Sequence, residues 1–252
     1  MKNKRVCKSV GEIYRYHKFN NSSLRSWQLL CKPICASTEV ELSNWIAKRP
    51  VRKDLPKAVF ASSQKYGRGQ HNRNWYSPRG GVWVSAAISR EGSYTNNSEL
   101  HGLALALAIV ERLERIGIEV KIKWPNDLLV EDKKLAGILS RLFFRGTELR
   151  LLRFGVGLNV FNNVPKDGIS LKQIVGYRKM NINFWSSEVL FSIERSLDFL
   201  DNKTYLCSQV KQRLWSDKYM DKETGSQWNI KGIDSNGRLI LTQEGKERLL
   251  ST

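Results

Sequence analysis

The residues of this chain best suited to chemistry on an anion lie in "KYGRGQHNRNW", Lys65 to Trp75. Gly67 and Gly69 bracket Arg68, and Arg73 and Trp75 follow within six residues. Glycines permit backbone angles that other residues resist and let N–H groups come close to an anion. Arg68 offers a fixed fork of donors that matches a carboxylate or phosphate. Arg73 adds a second cation, and Trp75 can pack the loop down or stack on a base or guanidinium. Read alone, "GRG" also fits an ordinary exposed hairpin loop or an RGG-like RNA-binding tract. The continuation "WYSPRGGVWVS" argues against a disordered tract. Ser77-Pro78 is a turn, and Gly80-Gly81 give tight entry into a strand.

A second block, "KIKWPNDLLVEDKKLAGILS", spans residues 121–140. Trp124-Pro125-Asn126-Asp127 bends the chain between two strands, with Lys123 and Asp127 at the edges of the bend. Lys134 falls on the return strand, where it can neutralise a carboxylate or phosphate. Gly137 beside it marks a place where something approaches the backbone closely, since glycine inside a strand costs stability. A third block, "FGVGLNV" at 154–160, ends a strand in a glycine turn. Asn159 there can donate to a ligand or satisfy the backbone. Neither a full dinucleotide-binding fingerprint nor a Walker A motif occurs.

These segments must be positioned by a folded domain, and 252 residues suffice for one large domain or one with a small appendage. The apolar fraction of 41% is ordinary for a globular chain, so neither disulfide nor metal is needed to hold it. Cys7, Cys31, Cys35 and Cys207, with His17, His71 and His101, show no zinc spacing, and idle thiols in a reducing compartment are expected. No apolar run reaches membrane-spanning length, and no secretory h-region opens the chain. The formal charge of +18 fits a basic soluble protein or an anionic partner such as nucleic acid, nucleotide phosphates or an acidic protein.

The periodicity predicts a basic N-terminal arm over residues 1–29, with little regular structure. A capped helix is expected over 37–47, strands over 58–64 and 81–89, and a long apolar helix over 98–117. A hairpin around Asp132-Lys133, a strand over 149–160 and an amphipathic helix over 183–203 follow. The last residues, 211–252, read as a short antiparallel appendage whose first strand is hard to find. Helices alternate with strands, yet many strand links are short. The expected class is therefore α+β, with a mixed, mostly antiparallel sheet packed with helices.

In this order and spacing, Ser37-Thr38, "GRGQHNRNWYSPRGG", "KWPNDLLVEDKKLAGIL" and "GVGLNV" resemble the biotin protein ligases. The resemblance covers about residues 30–215, with a catalytic domain over 30–210 and a truncated SH3-like end. It implies a two-step reaction, in which biotin and MgATP give biotinyl-5′-AMP and the acyl group then passes to a lysine of biotin carboxyl carrier protein of acetyl-CoA carboxylase. It places Ser37, Thr38, Gln64, Gly67, Arg68, Gly69, Lys134, Gly137 and Ile138 around biotin. It places Arg68, Gln70, Arg73, Trp75, Lys123, Asn126, Asp127, Lys134 and Asn159 around ATP or the adenylate. Lys134, Arg68 and Lys123 would be catalytic, and Asp127 would hold Mg2+. A cytoplasmic monomer or homodimer that binds neither membrane nor specific DNA is expected, organellar targeting staying open.

The chain departs from the family pattern at Gln70, where a basic residue is usual, at His71-Asn72, which replace Arg-Gly, and at Glu39, which replaces Asn. An ionised Glu39 cannot donate a hydrogen bond. The alternatives are a lipoate or octanoate transferase of the same fold, against which KWPND argues, and a basic nucleic-acid-binding protein.

Overall fold

The computed structural model of the protein describes residues 8–20, 25–93, 98–176 and 181–252. Runs rich in β-branched, aromatic and small residues form its strands, because such side chains suit a pleated, half-buried surface. The first nine are β1 (Gln28–Cys35), β2 (Lys57–Gln64), β3 (Gly67–Arg68), β4 (Asn74–Trp75), β5 (Val82–Ser93), β6 (Lys121–Lys123), β7 (Asp127–Val130), β8 (Lys133–Arg145) and β9 (Glu148–Leu158). The remaining four are β10 (Lys218–Met220), β11 (Gln227–Ile233), β12 (Leu239–Gln243) and β13 (Lys246–Leu250). The helices are α1 (Val10–Asn20), α2 (Thr38–Lys48), α3 (Ser98–Glu114), α4 (Leu171–Val175), α5 (Ile182–Asp201) and α6 (Lys203–Gln212).

The main sheet runs β1-β2-β5-β9-β8-β7-β6. Only β1 and β2 pair in parallel, across the helix α2 that joins them, and the other neighbours are antiparallel. This is the mixed, mostly antiparallel sheet expected from the short links. The β7–β8 hairpin turns on Glu131 and Asp132, with φ of 48° and 63°, the left-handed pair that a tight hairpin requires. The turn thus falls one residue before the expected Asp132-Lys133.

Two helices cover one face of the sheet. Leu103, Ala104, Leu105, Ala106 and Leu107 of α3 are all fully buried, because α3 lies between the strands and α5. Of the described helices, the opposite face carries the 11-residue α2, whose Leu42 packs on Val59 and Ala87. So short a helix leaves the β5-β9-β8 part of that face open, and there a cleft can form.

The N-terminal reading needs correction. Residues 1–29 were expected to be a basic arm, but α1 is a helix docked on α5, with Ile13 fully buried and His17 2% exposed. The inward positions Ile13, Tyr16 and His17 recur at helical spacing, and surrounding charge dilutes that signal. Trp27 then donates its indole N–H to Glu194 on α5, and β1 begins at the next residue. Ahead of α1, Lys8 donates to the carbonyls of Ala61 and Gly81, and burial pulls its pKa down to about 7. Burial pushes the Cys31 and Cys35 thiols up to about 11, so both are poor nucleophiles at neutral pH.

At the C-terminal end, β10-β11-β12-β13 form a separate four-stranded antiparallel sheet. Its elusive first strand is the three-residue β10, too short for an alternation pattern. The β11–β12 turn is wedged against the main sheet's surroundings at Trp124 and Leu100. Trp124 donates to the Gly237 carbonyl at 2.9 Å, and a Cβ at Gly237 would meet Leu100 N at 2.5 Å.

Because Ile13 is a core residue rather than part of a free arm, Ile13→Ala should lower the unfolding free energy by about 2–5 kcal/mol. Denaturant titration of both proteins measures this. An unchanged midpoint would mean that α1 is not docked.

Candidate active site

The floor of the open face is built from cross-strand rows. Trp83, Gly157 and Gly137 form one row across β5, β9 and β8, and Ser85, Gly155 and Leu139 form the next. Ala87, Arg153 and Arg141 follow. Side chains alternate along a strand, so residues 153, 155 and 157 face the same side. Two adjacent glycines in one row leave a bare patch of backbone, and the Trp75 indole lies on it. A Cβ at Gly157 would fall 2.4 Å from the indole nitrogen, and one at Gly137 would fall 2.7 Å from the ring. The close approach that Gly137 signalled is therefore made by the protein's own indole. Trp83 meets Trp75 edge-on at 6.5 Å between centroids.

Lys134 completes this corner. Its Nζ sits 4.8 Å above the Trp75 ring centroid, within cation–π range, and 2.8 Å from Asp127 Oδ1. That approach is close in distance but off the hydrogen-bond direction, and Asp127 Oδ1 is buried with no hydrogen bond among the described residues. Lys134 is pinned through its backbone. Its N–H donates to Asp167, and its carbonyl accepts from Ile169 N and Asn159 Nδ2. Asn159 Oδ1 accepts from Asn162, so this side chain holds Lys134 in place and takes the backbone role of the two left open. Asn126 is similarly engaged, its Nδ2 donating to the Ile138 carbonyl at 3.0 Å.

The opposite wall is the start of α2. Ser37 caps the helix, its Oγ accepting from Glu39 N at 3.3 Å. Gln64 Oε1 accepts from Thr38 N at 2.7 Å and from Thr38 Oγ1 at 3.0 Å, and Gln64 Nε2 donates to Ser77 Oγ. Ser77 in turn donates to the Trp75 carbonyl. A hydroxyl has one proton, so with Thr38 donating to Gln64 the Ser85 hydroxyl must be the donor in its 2.8 Å contact with Thr38. One polar chain thus ties the sheet floor, α2 and the segment after Trp75 together.

Arg68 and Arg73 are exposed on the loop that roofs the cleft. That loop is a small hairpin, β3 against β4, closed by Gly69 N to Arg73 O at 2.7 Å. The expected roles of its glycines shift. Neither Gly67 nor Gly69 has a positive φ; the left-handed residue is His71, at 52°. Gly67 is required by packing, since a Cβ there would meet Trp75 O at 2.4 Å.

Of the residues singled out in the sequence, Ser37, Thr38, Gln64, Arg68, Gly69, Gln70, Arg73, Trp75, Asn126, Asp127, Lys134, Gly137 and Ile138 line one cleft. Lys123 does not. It pairs across strands with Asp127, but its exposed ammonium rests 4.8 Å over the Trp215 ring, outside the cleft. Gly67 and Asn159 lie behind the lining, as supports. Sequence reasoning missed Ser85, Gly155 and Gly157 on the floor and the pairing of Glu39 with Arg153. The GxG of "FGVGLNV" was the available signal for the two glycines.

A bare glycine floor, a polar helix start as one wall and a cationic hairpin as roof make one cleft, on a mixed sheet with helices that matches the fold of the biotin protein ligases. The model of the biotin/lipoate A/B protein ligase family matches residues 44–159. The chain is 31% identical over 213 residues to the bifunctional ligase/repressor BirA of Bacillus subtilis, covering 77% of this chain and 64% of that protein. It is also 31% identical over 105 residues to the biotin–[acetyl-CoA-carboxylase] ligase of Paracoccus denitrificans, covering 40% of this chain and 43% of that one. Among solved structures, the biotin protein ligase of Aquifex aeolicus in complex with biotin and ATP superposes with a TM-score of 0.71 at 23% identity, covering 88% of this chain and 95% of that one. The chain thus matches the biotin/lipoate A/B protein ligase family over residues 44–159, and spans just under two thirds of the length of the B. subtilis relative.

The bare floor gives a direct test. Gly157→Ala must displace the indole and should cost about 1–3 kcal/mol of stability, with a change in tryptophan emission. Gly155→Ala places its Cβ no nearer than 3.4 Å, to Leu139 Cβ, and should keep the wild-type melting temperature and emission. Equal behaviour of the two variants in thermal melts would contradict the indole's placement.

Proposed function

We propose that this cleft joins biotin to ATP and then passes the biotinyl group to a lysine of a carrier protein. The observation that carries this reading is the convergence of Lys134, Arg68 and Arg73 on one glycine-floored cleft. Biotin's carboxylate and the α-phosphate of ATP are both anionic and repel each other. Cations held against that repulsion also stabilise the charge that builds on phosphorus during transfer.

In the first step a carboxylate oxygen of biotin attacks the α-phosphorus. The bond from that phosphorus to the bridging oxygen of the β-phosphate breaks, and pyrophosphate leaves. Lys134, fixed by three hydrogen bonds to its backbone, would meet the carboxylate and α-phosphate together. In the second step the carrier lysine's amine attacks the acyl carbon, loses a proton, and AMP leaves with the bonding electron pair. An acyl adenylate hydrolyses readily, so the loop that roofs the cleft serves by excluding water between the steps.

Asp127 is the residue that would hold Mg2+. Its buried Oδ1 makes no hydrogen bond, only the 2.8 Å ion pair with Lys134, and no group of three or more His, Cys, Asp or Glu side chains suited to a closed metal site occurs among the described residues. That suits an ion bound through one carboxylate and substrate phosphates, where it neutralises phosphate charge. Lys123, placed outside the cleft, is left with a role at its edge. The carrier would be the biotin carboxyl carrier of acetyl-CoA carboxylase, a reading supported by the name of the Paracoccus relative. The cytoplasm is the proposed compartment.

Purified protein should exchange pyrophosphate into ATP only when biotin is present. Lys134→Ala should lower that exchange by about a hundredfold or more. Biotin-independent exchange, or full activity in Lys134→Ala, would remove the assignment. Gln70 meets the cleft with a neutral amide, which gives a phosphate no charge–charge attraction. Trapped biotinyl-AMP should therefore escape more slowly from Gln70→Arg than from the wild type, and equal escape rates would exclude a role for this position.

A further inference from the structure

Beyond the residues that meet the reacting phosphate, the geometry points to Glu39, held in place by Arg153, as the specificity-determining acceptor for ring N–H groups at the inner end of the cleft. This rests on the biotin reading above and adds what the head-group end selects.

The argument begins with the space. Over the Gly137 and Gly157 row the indole of Trp75 fills the floor, but over Gly155 nothing does. A Cβ built on Gly155 would meet only Leu139, at 3.4 Å or beyond. The vacant floor is bounded by Ser85 on one side and by Thr38 and Glu39 above, and all of them line the cleft. Arg153 stands in the next row of the same face and ends the cleft there.

The polar inventory at this end is lopsided. The Ser85 hydroxyl proton goes to Thr38, the Thr38 hydroxyl and N–H go to Gln64, and the Gln64 amide goes to Ser77. Those donors are engaged with one another. Besides the Ser37 hydroxyl, what remains on the lining is the carboxylate of Glu39, which accepts only and has about four lone-pair sites; Arg153 Nε also lacks a hydrogen bond but lies behind the lining. One of the Glu39 oxygens has a single contact in the structure, 3.5 Å from Arg153 Nη1, long for a charge-assisted bond. Both side chains are about nine-tenths buried, with 11% and 12% exposure. Arg153 is itself fixed, with Nη1 2.8 Å from Ser43 Oγ and the guanidinium 4.4 Å over the Phe143 ring. It acts as the counter-charge that aims the Glu39 carboxylate. A buried carboxylate with most of its acceptor sites free suits a head group that brings N–H donors. The cyclic urea of biotin has two. A dithiolane or an alkyl chain has none and would leave the carboxylate desolvated without a partner, the situation that hydrogen-bonding sites reject most strongly.

Calorimetric titration of the full chain with biotin and with biotin methylated on a ureido nitrogen tests the proposal. Wild type should bind biotin and discriminate against the methylated form. The near-isosteric Glu39→Gln keeps the side chain's shape and should weaken biotin about tenfold. It should also reduce the discrimination ratio by a similar factor, since a charged acceptor is replaced by a neutral one. Arg153→Met should lower the same ratio through Glu39, and Arg153→Lys should restore most of it, which a purely structural role would not require. Failure of the wild type to bind biotin overturns both this inference and the proposed function. Wild-type binding of biotin with an unchanged ratio in Glu39→Gln overturns this inference alone.

Discussion

The Trp75 indole reaches the sheet only because two strand neighbours, Gly137 and Gly157, both lack a side chain. Protein interiors are close-packed, and a single methyl at either position would sit inside the van der Waals radius of the ring. Much of the cleft follows from this contact. The indole gives Lys134 a face to rest on, and Lys134 in turn faces Asp127. The Trp75 backbone receives the hydroxyl of Ser77, which carries the polar chain through Gln64 to the start of α2. The roofing hairpin is anchored at its far end by the same residue.

Two kinds of support surround this contact. One is backbone pinning. Lys134 is fixed by Asp167, Ile169 and Asn159, and the Asn126 bend is tied to β8 through Ile138. The other is the asymmetric covering of the sheet. α3 and α5 bury most of one face, whereas α2 is too short to cover more than one end of the other. A rigid, well-buried rear face lets the open front face carry bare glycines and unpaired polar atoms without loss of the fold. The Trp124–Gly237 hydrogen bond extends this support to the C-terminal sheet, which grips the bend just before Asn126 and Asp127.

The charges are arranged by depth. Arg68 and Arg73 are exposed on the roof, Lys134 is half-buried at the corner, and the Glu39–Arg153 pair lies deepest. A ligand with an anionic end and a neutral ring would therefore meet cations first and an anchored carboxylate last. Exposed cations are screened by salt within about 10 Å at moderate ionic strength, whereas the deep pair is screened far less. The outer charges suit capture of phosphates, and the inner pair suits selection.

The sequence alone determined what depends on local pattern. Period-2 and helical alternation placed β2, β5, β9, α2, α3 and α5, and the glycine, lysine and Trp-Pro-Asn-Asp blocks marked most of the cleft's lining. α1 and β10 escaped because a short helix diluted by charge and a three-residue strand carry too little periodicity. Only the tertiary structure decided which atoms meet. A glycine in a strand announces a close neighbour but not its identity, and here the neighbour is Trp75, some sixty to eighty residues away. The same holds for Lys123, which the cross-strand register brings beside Asp127 but whose ammonium the distant Trp215 draws aside. It holds again for Glu39, whose partner lies on β9. Local propensity acts over a few residues, whereas these contacts are set by strand order and register, which no short stretch of chain contains.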